Sequence, residues 1–481
     1  MIELTLAEIA GLVDGTLHDA DPATVVTGSV EYDSRAVGPG GLFLALPGER
    51  VDGHDYAATA YARGAVAVLG TRPVDGPRIE VADGIAAITA LAAAVARRLE
   101  ATVIGVTGSS GKTSTKDLLA QLLPAAGPTV APAGSMNNEL GHPYTVLRAD
   151  AETRFLVLEM GARGVGHIRH LAEIAPPQLG VVLNVGSAHL GEFGSREAIA
   201  LAKGELVEAL PTDGIAVLNA DDQLVAAMAS RTRARVVSFG EADVADVRAT
   251  GVALDDLGRP RFTLQVGAES AAVALRLVGA HHVSNALAAA AVGLAVGLDL
   301  EAVAAGLSGA VAASRWRMET TERADGVLII NDAYNANPES MRAALKTLAT
   351  VARARRATGG RSFAVLGPMA ELGPTAPEEH DALGRLAVRL DISQVIAVGD
   401  AARPIQHGAA LEGSWNGESL WVPDVEGAIT LLRELLEPGD VVLVKASRAA
   451  SLERVALAIA EDSQAAKHSP ADNSIEGGST E

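Results

Sequence analysis

The stretch "VIGVTGSSGKTSTKDLL", residues 103–119, restricts the fold more than any other part of the chain. Thr102 to Val106 reads as a buried strand, "TGSSGKTST" as a tight turn and "KDLLAQLL" as a helix. A strand passing through a glycine-rich turn into a helix belongs to a parallel α/β layer. Gly108 and Gly111 let backbone N–H groups approach an anion, Lys112 adds a point charge, and the helix start adds partial positive charge. Thr113 can offer its hydroxyl to a magnesium ion. The strict P-loop spacing fails, because Val106 stands where its first glycine would be. An ordinary strand-to-helix turn is the bland alternative, and a kinase, switch, pump or ligase could all begin this way.

At 481 residues with 48% hydrophobic side chains, the chain has material for two to four domains, each with a core. It has no cysteine, which excludes disulfides, zinc-thiolate sites and cysteine nucleophiles. Acidic residues occupy the N-terminus where a signal peptide would be basic, and the longest apolar runs fall short of the roughly 18 residues a span needs. A soluble, cytoplasmic protein without membrane insertion is therefore expected. The formal charge of -20 argues against nucleic-acid binding, which depends on neutralising phosphates. Any polyanionic substrate must be met by locally concentrated cations.

Strand-like runs alternate with alanine-rich helical stretches, and three blocks emerge. Residues 1–98 hold short strands between Gly and Pro turns. Residues 99–312 open with the quoted loop and include "RATGVALDDLGRPRFTLQV", which alternates like a hairpin and predicts an antiparallel annex. Residues 313–462 carry four strand candidates, "GVLIIND", "SFAVLG", "QVIAVGD" and "DVVLVKAS", as in a small Rossmann-like fold. Residues 463–481 lack apolar periodicity and are expected to be disordered.

Two more strands in the middle block end in polar residues. "FLVLEMGAR" runs into Glu159, and "LGVVLNVGSAHLGEFGS" runs into Asn184 and then His189. In a parallel sheet the ligand crevice lies beyond the carboxyl ends of the strands, so loop, glutamate and histidine converge on one edge. Both side chains are possible magnesium ligands, although imidazole is the less usual choice. Each alone could equally be a strand end or a hydrogen-bonded loop residue.

Lys203 lies in the helix "REAIALAKGELVEAL", with Ser195 as its expected N-cap. Its neighbours at three and four residues are Ile199, Ala200, Leu206 and Val207, so it sits on the apolar stripe. Two readings stay open from position: an amine that snorkels to the rim, or a buried neutral amine able to take up carbon dioxide as a carbamate. Gly204 beside it costs about 1 kcal/mol in a helix, which suggests that something approaches closely there.

In the third block Arg317 could reach a transferring phosphoryl group, Asp332 ends a strand, and Asn337-Pro338 is a helix start. In the first block "DSR", Asp33 to Arg35, and "DGHDY" are polar clusters in turns, and an arginine there would suit the phosphates of a nucleotide-linked substrate.

Taken together, "TGSSGKTST", "SMNNELGHPYTVL", "EMGA", "NVGSAHLGEFGSREAIALAKGEL", "INDAYNANPESM", "AELG" and "GDVVLVKASRA" resemble the Mur ligases of peptidoglycan synthesis, in the same order from about residue 30 to 457. The resemblance implies three α/β domains: a small N-terminal substrate domain, a central P-loop-type ATPase domain with a mostly parallel sheet, and a C-terminal Rossmann-like domain. It also implies an ATP-dependent carbon-nitrogen ligase acting through an acyl phosphate. On that pattern Thr107, Gly108, Ser109, Ser110, Gly111, Lys112, Thr113 and Ser114 would hold the ATP phosphates. Thr113 and Glu159 would serve magnesium, with His189 and a carbamylated Lys203 at a second ion. Asn285 and Arg317 match nucleotide contacts, joined by Asp332 and Tyr334. Asp33, Ser34 and Arg35 match the part that receives a UDP group, and Asn137 and Asn138 a segment facing the peptide. The resemblance shifts the balance on Lys203 toward the carbamate.

Within the family, "NDAYNANP" and "KASRA" favour the branch that joins D-alanyl-D-alanine to UDP-N-acetylmuramoyl-tripeptide. The branch that adds a diamino acid to the dipeptide would carry a "DNPR"-like segment, which is missing here, and a nucleotide switch would show strict Walker spacing with a single aspartate. A monomer is expected. His282, Pro368 and Ala446 depart from the family pattern, which usually has asparagine, "GDM" and the glycine of "KGS" at these places.

Overall fold

The computed structural model describes residues 1–48, 51–186, 190–413 and 417–465. They form two compact α/β units: Met1–Asp255 with Arg259–Ser314, and the chain from Arg315 onward with Asp256–Gly258. Among the described residues no helix is long and apolar enough to cross a membrane.

The first unit contains two large sheets. In the smaller, Val30–Glu31, Gly41–Ala45, Ala65–Gly70 and Arg78–Glu80 pair in parallel, and Thr16–His18 closes one edge antiparallel. The larger has nine strands. From one edge they are Thr129–Val130, Phe155–Glu159, Thr102–Thr107, Leu179–Val182, Ile215–Asn219, Arg235–Gly240 and Val247–Leu254, all parallel. Pro260–Val266 and Glu269–Ala274 then add antiparallel, so the expected hairpin is present and extended by one strand. The central strands are continuous apolar runs because both faces are covered.

The strand expected at Thr102 to Val106 spans Thr102–Thr107 at the middle of this sheet. Its neighbours bring Glu159 opposite Val106 and Val182 opposite Thr107, so three carboxyl ends share one edge. Gly105 and Gly180 are partners in register, and Leu206 of the helix Arg196–Glu208 drops into the gap they leave. A Cβ on Gly105 would stand 2.8 Å from Leu206 Cδ1, and one on Gly180 would stand 3.1 Å from its Cγ. The two missing side chains thus set how closely that helix approaches the sheet.

One apolar cluster runs from Leu6, Ile9, Leu42 and Leu91 through Tyr144 and Leu158 to Ile199 and Leu206, so the first two blocks share a core. A second cluster lies around the alanine-rich helix His282–Ala295 and the loop helix Lys112–Leu122.

The second unit is built on a six-stranded sheet. Its order is Glu319–Glu322, Leu328–Asn331, Val441–Lys445, Ser362–Leu366, Gln394–Val398 and Ser419–Val422, parallel except for the first pair. The four expected strands are there, and both edges carry one more. The last parallel strand inserts between the first two, which sets the end of Leu328–Asn331 beside Lys445.

Candidate active site

Gly111 has φ +82°, a left-handed conformation that glycine adopts freely, and it is the N-cap of the helix Lys112–Leu122. A side chain there would also collide with the amide oxygen of Asn285. Asn285 is itself buried and faces His282, whose ring nitrogen stands 3.4 Å from its amide nitrogen. The loop is braced from the next strand: Ser109 N–H donates to the Asn184 carbonyl, Ser110 N–H donates to Asn184 Oδ1, and Gly186 N–H donates to Ser109 Oγ. Lys112 Nζ crosses the turn to the Gly108 carbonyl at 2.8 Å, and Thr107 Oγ1 donates to the Met160 carbonyl. The loop is therefore already shaped. Ser114 lies in the first turn of the helix, half-buried.

Glu159 is 1% exposed. Its Oε2 accepts from Thr113 Oγ1 at 2.9 Å, and its Oε1 accepts from Ser135 Oγ at 2.9 Å and Asn137 Nδ2 at 2.7 Å. All three donors are neutral, so a buried carboxylate stands beside the glycine-rich loop without a cationic partner among the described residues. That donor set suits a divalent cation, which would supply the missing charge. Ser135 had no signal in the sequence. Asn137, expected to face a peptide, donates to the glutamate, and Asn138 Oδ1 accepts from Gly141 N–H.

Lys203 is 4% exposed in the helix Arg196–Glu208, whose cap is Ser195, accepting from Ala198 N–H as expected. Burial first, and the nearby charge of Lys112 second, hold its amine well below the ordinary lysine value. The buried reading of this lysine is the one the structure supports. The object close to Gly204 is the guanidinium of Arg231, which donates to the carbonyls of Ala200 and Leu201 and to Glu208. His189 lies outside the described residues. One turn along the loop helix, Lys116 is buried and paired with Asp117, whose other oxygen accepts from Ser314 N–H.

Asp33, Ser34 and Arg35 form a turn in the first unit. Arg35 makes a bidentate pair with Asp33 at 2.9 and 2.8 Å while its side chain stays 83% exposed, and this pairing lowers the Asp33 carboxyl to about 2. His54 of the "DGHDY" turn is buried. Its Nε2 accepts from Thr71 N–H at 2.9 Å, so Nδ1 carries the proton toward Asp52. Both ring nitrogens are occupied, which makes this Asp-His pair a structural brace.

In the second unit, Arg317 sits between two non-glycine residues in the left-handed region, Trp316 at φ 58° and Met318 at φ 52°. Each such residue costs about 1–2 kcal/mol. The Arg317 guanidinium lies 4.3 Å from the centre of the Tyr334 ring, and its buried Nε has no hydrogen-bond partner among the described residues. Asp332, expected to contact nucleotide, is engaged by Met318 N–H and by Lys445. Lys445, 2% exposed, went unnoticed in the sequence because it closes a strand of apolar residues and has no periodicity of its own.

Family models match the chain in three consecutive segments: "Mur ligase family, catalytic domain" at residues 27–105, "Mur ligase middle domain" at 106–293, and "Mur ligase, glutamate ligase domain" at 316–448. A protein of Mycobacterium tuberculosis (strain ATCC 25618 / H37Rv) named UDP-N-acetylmuramoyl-tripeptide--D-alanyl-D-alanine ligase is 54% identical over 503 aligned positions, covering 96% of this chain and 98% of its own. The crystal structure of MurF from Acinetobacter baumannii aligns with TM-score 0.83 at 33% identity, over 95% of this chain and 99% of that one. MurF from Thermotoga maritima, solved in complex with ADP, aligns with TM-score 0.77 at 30% identity, over 92% and 99%. With three Mur ligase models matched in succession and likeness to a ligase of that family along nearly its whole length, this chain belongs to the Mur ligase family.

Proposed function

We propose that this chain joins D-alanyl-D-alanine to UDP-N-acetylmuramoyl-tripeptide, converting ATP to ADP and phosphate. The near full-length likeness to a ligase of that name carries the choice of substrates. Glu159 beside the Thr113 hydroxyl carries the chemistry. The terminal phosphoryl group of ATP passes to the carboxylate of the tripeptide, giving an acyl phosphate and ADP. The dipeptide amine then attacks that carbonyl, and phosphate leaves as the amide forms.

The backbone N–H groups from Gly108 to Ser114 and the ammonium of Lys112 receive the phosphates. Asn285 backs the loop, and Arg317 adds a cation. Thr113 and Glu159 would hold one magnesium ion, with His189 and Lys203 serving a second. The cations offset a repulsion of about 4 kcal/mol per close pair of anionic groups at an effective dielectric near 20. Burial lowers the Lys203 amine well below the ordinary lysine value, and its neutral form can add to carbon dioxide, losing a proton and becoming an anionic carbamate able to face a cation. Asp33, Ser34 and Arg35 receive the UDP end. The reading carries with it a monomeric enzyme of the cytoplasm.

A substrate-omission assay tests this. Phosphate release should require UDP-N-acetylmuramoyl-tripeptide and D-alanyl-D-alanine together, and equal ATP turnover without the dipeptide would sink the ligase reading. In the same assay Lys203→Ala should be inactive and wild type should slow when bicarbonate is stripped away. An alanine variant at full rate would remove the carbamate.

A further inference from the structure

The second unit contains a buried ion pair that the reaction outlined above does not use. Lys445 Nζ donates to Asp332 Oδ2 at 2.6 Å and to the Asn335 carbonyl at 2.8 Å, with its side chain 2% exposed. Its third N–H points to the Asp332 carbonyl at 3.4 Å, so a lysine so enclosed has no N–H free for a substrate. Its strand lies between Leu328–Asn331 and Ser362–Leu366, and Asp332 N–H donates to the Val444 carbonyl at 2.9 Å. Asp332 is thereby fixed on both its backbone and its carboxylate.

The other carboxylate oxygen of Asp332 accepts from Met318 N–H at 3.2 Å, and the Trp316 carbonyl accepts from Tyr334 N–H at 3.2 Å. These bonds lie either side of Arg317, at the two residues whose φ angles are positive. Such backbone persists only where its surroundings over-determine it. Arg317 itself is held by no hydrogen bond at Nε and rests on the Tyr334 ring. Its direction is therefore set by the turn beneath it, and the turn is set by Asp332.

We propose that Lys445 is a positioning residue: through Asp332 it holds the Trp316–Met318 turn in the conformation that aims Arg317. This rests on the reading that Arg317 serves the ATP-driven step. Lys445 touches no reacting atom, and its effect on the rate passes entirely through the arginine.

A double-mutant cycle on the full-length chain tests the proposal. Lys445→Met should lower kcat on the order of 10- to 100-fold, the range expected when a positioned group is misplaced by about an ångström. The KM values for the UDP-tripeptide and the dipeptide should stay within about twofold. Arg317→Ala should lower kcat at least as far, and the double variant should be no slower than Arg317→Ala alone. Multiplicative losses would overturn the proposal, as would Lys445→Met with unchanged turnover. If the methionine variant does not fold, Asp332→Asn, which keeps the shape of the side chain but weakens its hold on Met318 N–H and Lys445, carries the same cycle. The cycle is read on whatever ATP turnover the wild type shows, whereas the choice of substrates stands or falls on the omission assay.

Discussion

At the scale of single residues, burial decides which ionisable groups act and which merely stay neutral. His142, in the helix Gly141–Val146, is 0% exposed, and burial pushes its imidazole down to about 4. The folded value lies below the unfolded one near 6.5, so between the two the unfolded chain binds the extra proton. Stability is complete above pH 6.5 and falls as pH drops toward 4, by about 3 kcal/mol in all. Urea midpoints measured from pH 7 to 4.5 should fall more steeply for wild type than for His142→Leu, and parallel curves would contradict this. The apolar neighbours of Lys203 at three and four residues placed it on the buried stripe but left snorkelling to the rim open, and the fold encloses it. The burial of His142 was not legible, since "LGHPY" has no helical period to place it. Ser135 and Lys445 were hidden for the same reason: what matters about each is a partner brought by the fold from a distant part of the chain.

At the scale of elements, the helix Arg196–Glu208 shows how a local rule points to a distant residue. Its cap and its glycine could be read from the sequence, and the glycine implied a close approach; that the visitor is Arg231, from the short helix Ala227–Arg231, could not. Alanine is the better helix former by about 1 kcal/mol, yet Gly204→Ala should destabilise the protein by about 1–3 kcal/mol, because the methyl displaces the guanidinium from two carbonyls. In an Arg231→Ala background the same change should become neutral or stabilising. Thermal unfolding of the four proteins checks the reversal. Edge strands follow the opposite logic. Glu319–Glu322 is "ETTE", exposed along its length, and only its pairing with Leu328–Asn331 makes it a strand. No apolar pattern announces such a segment.

At the scale of the molecule, the alternation of strands and helices revealed the layered blocks, while the core shared by the first two could be seen only once they were folded. Tyr144 marks that union: its hydroxyl donates to Glu31 Oε2 at 2.6 Å and its ring meets Tyr32 edge-on. Tyr144→Phe should cost about 1.5–3 kcal/mol, the range for a hydrogen bond to a charged acceptor. A shift in the urea midpoint measures it, and an unchanged midpoint would show the bond to be incidental. Beneath all of this lies the Gly105–Gly180 gap that receives Leu206. Two positions that meet no ligand fix the depth at which an amine three residues from that leucine is held. The burial of Lys203 is therefore inherited from what the sheet leaves out. Gly105→Ala or Gly180→Ala should therefore reach Lys203 by pushing Leu206 and its helix outward.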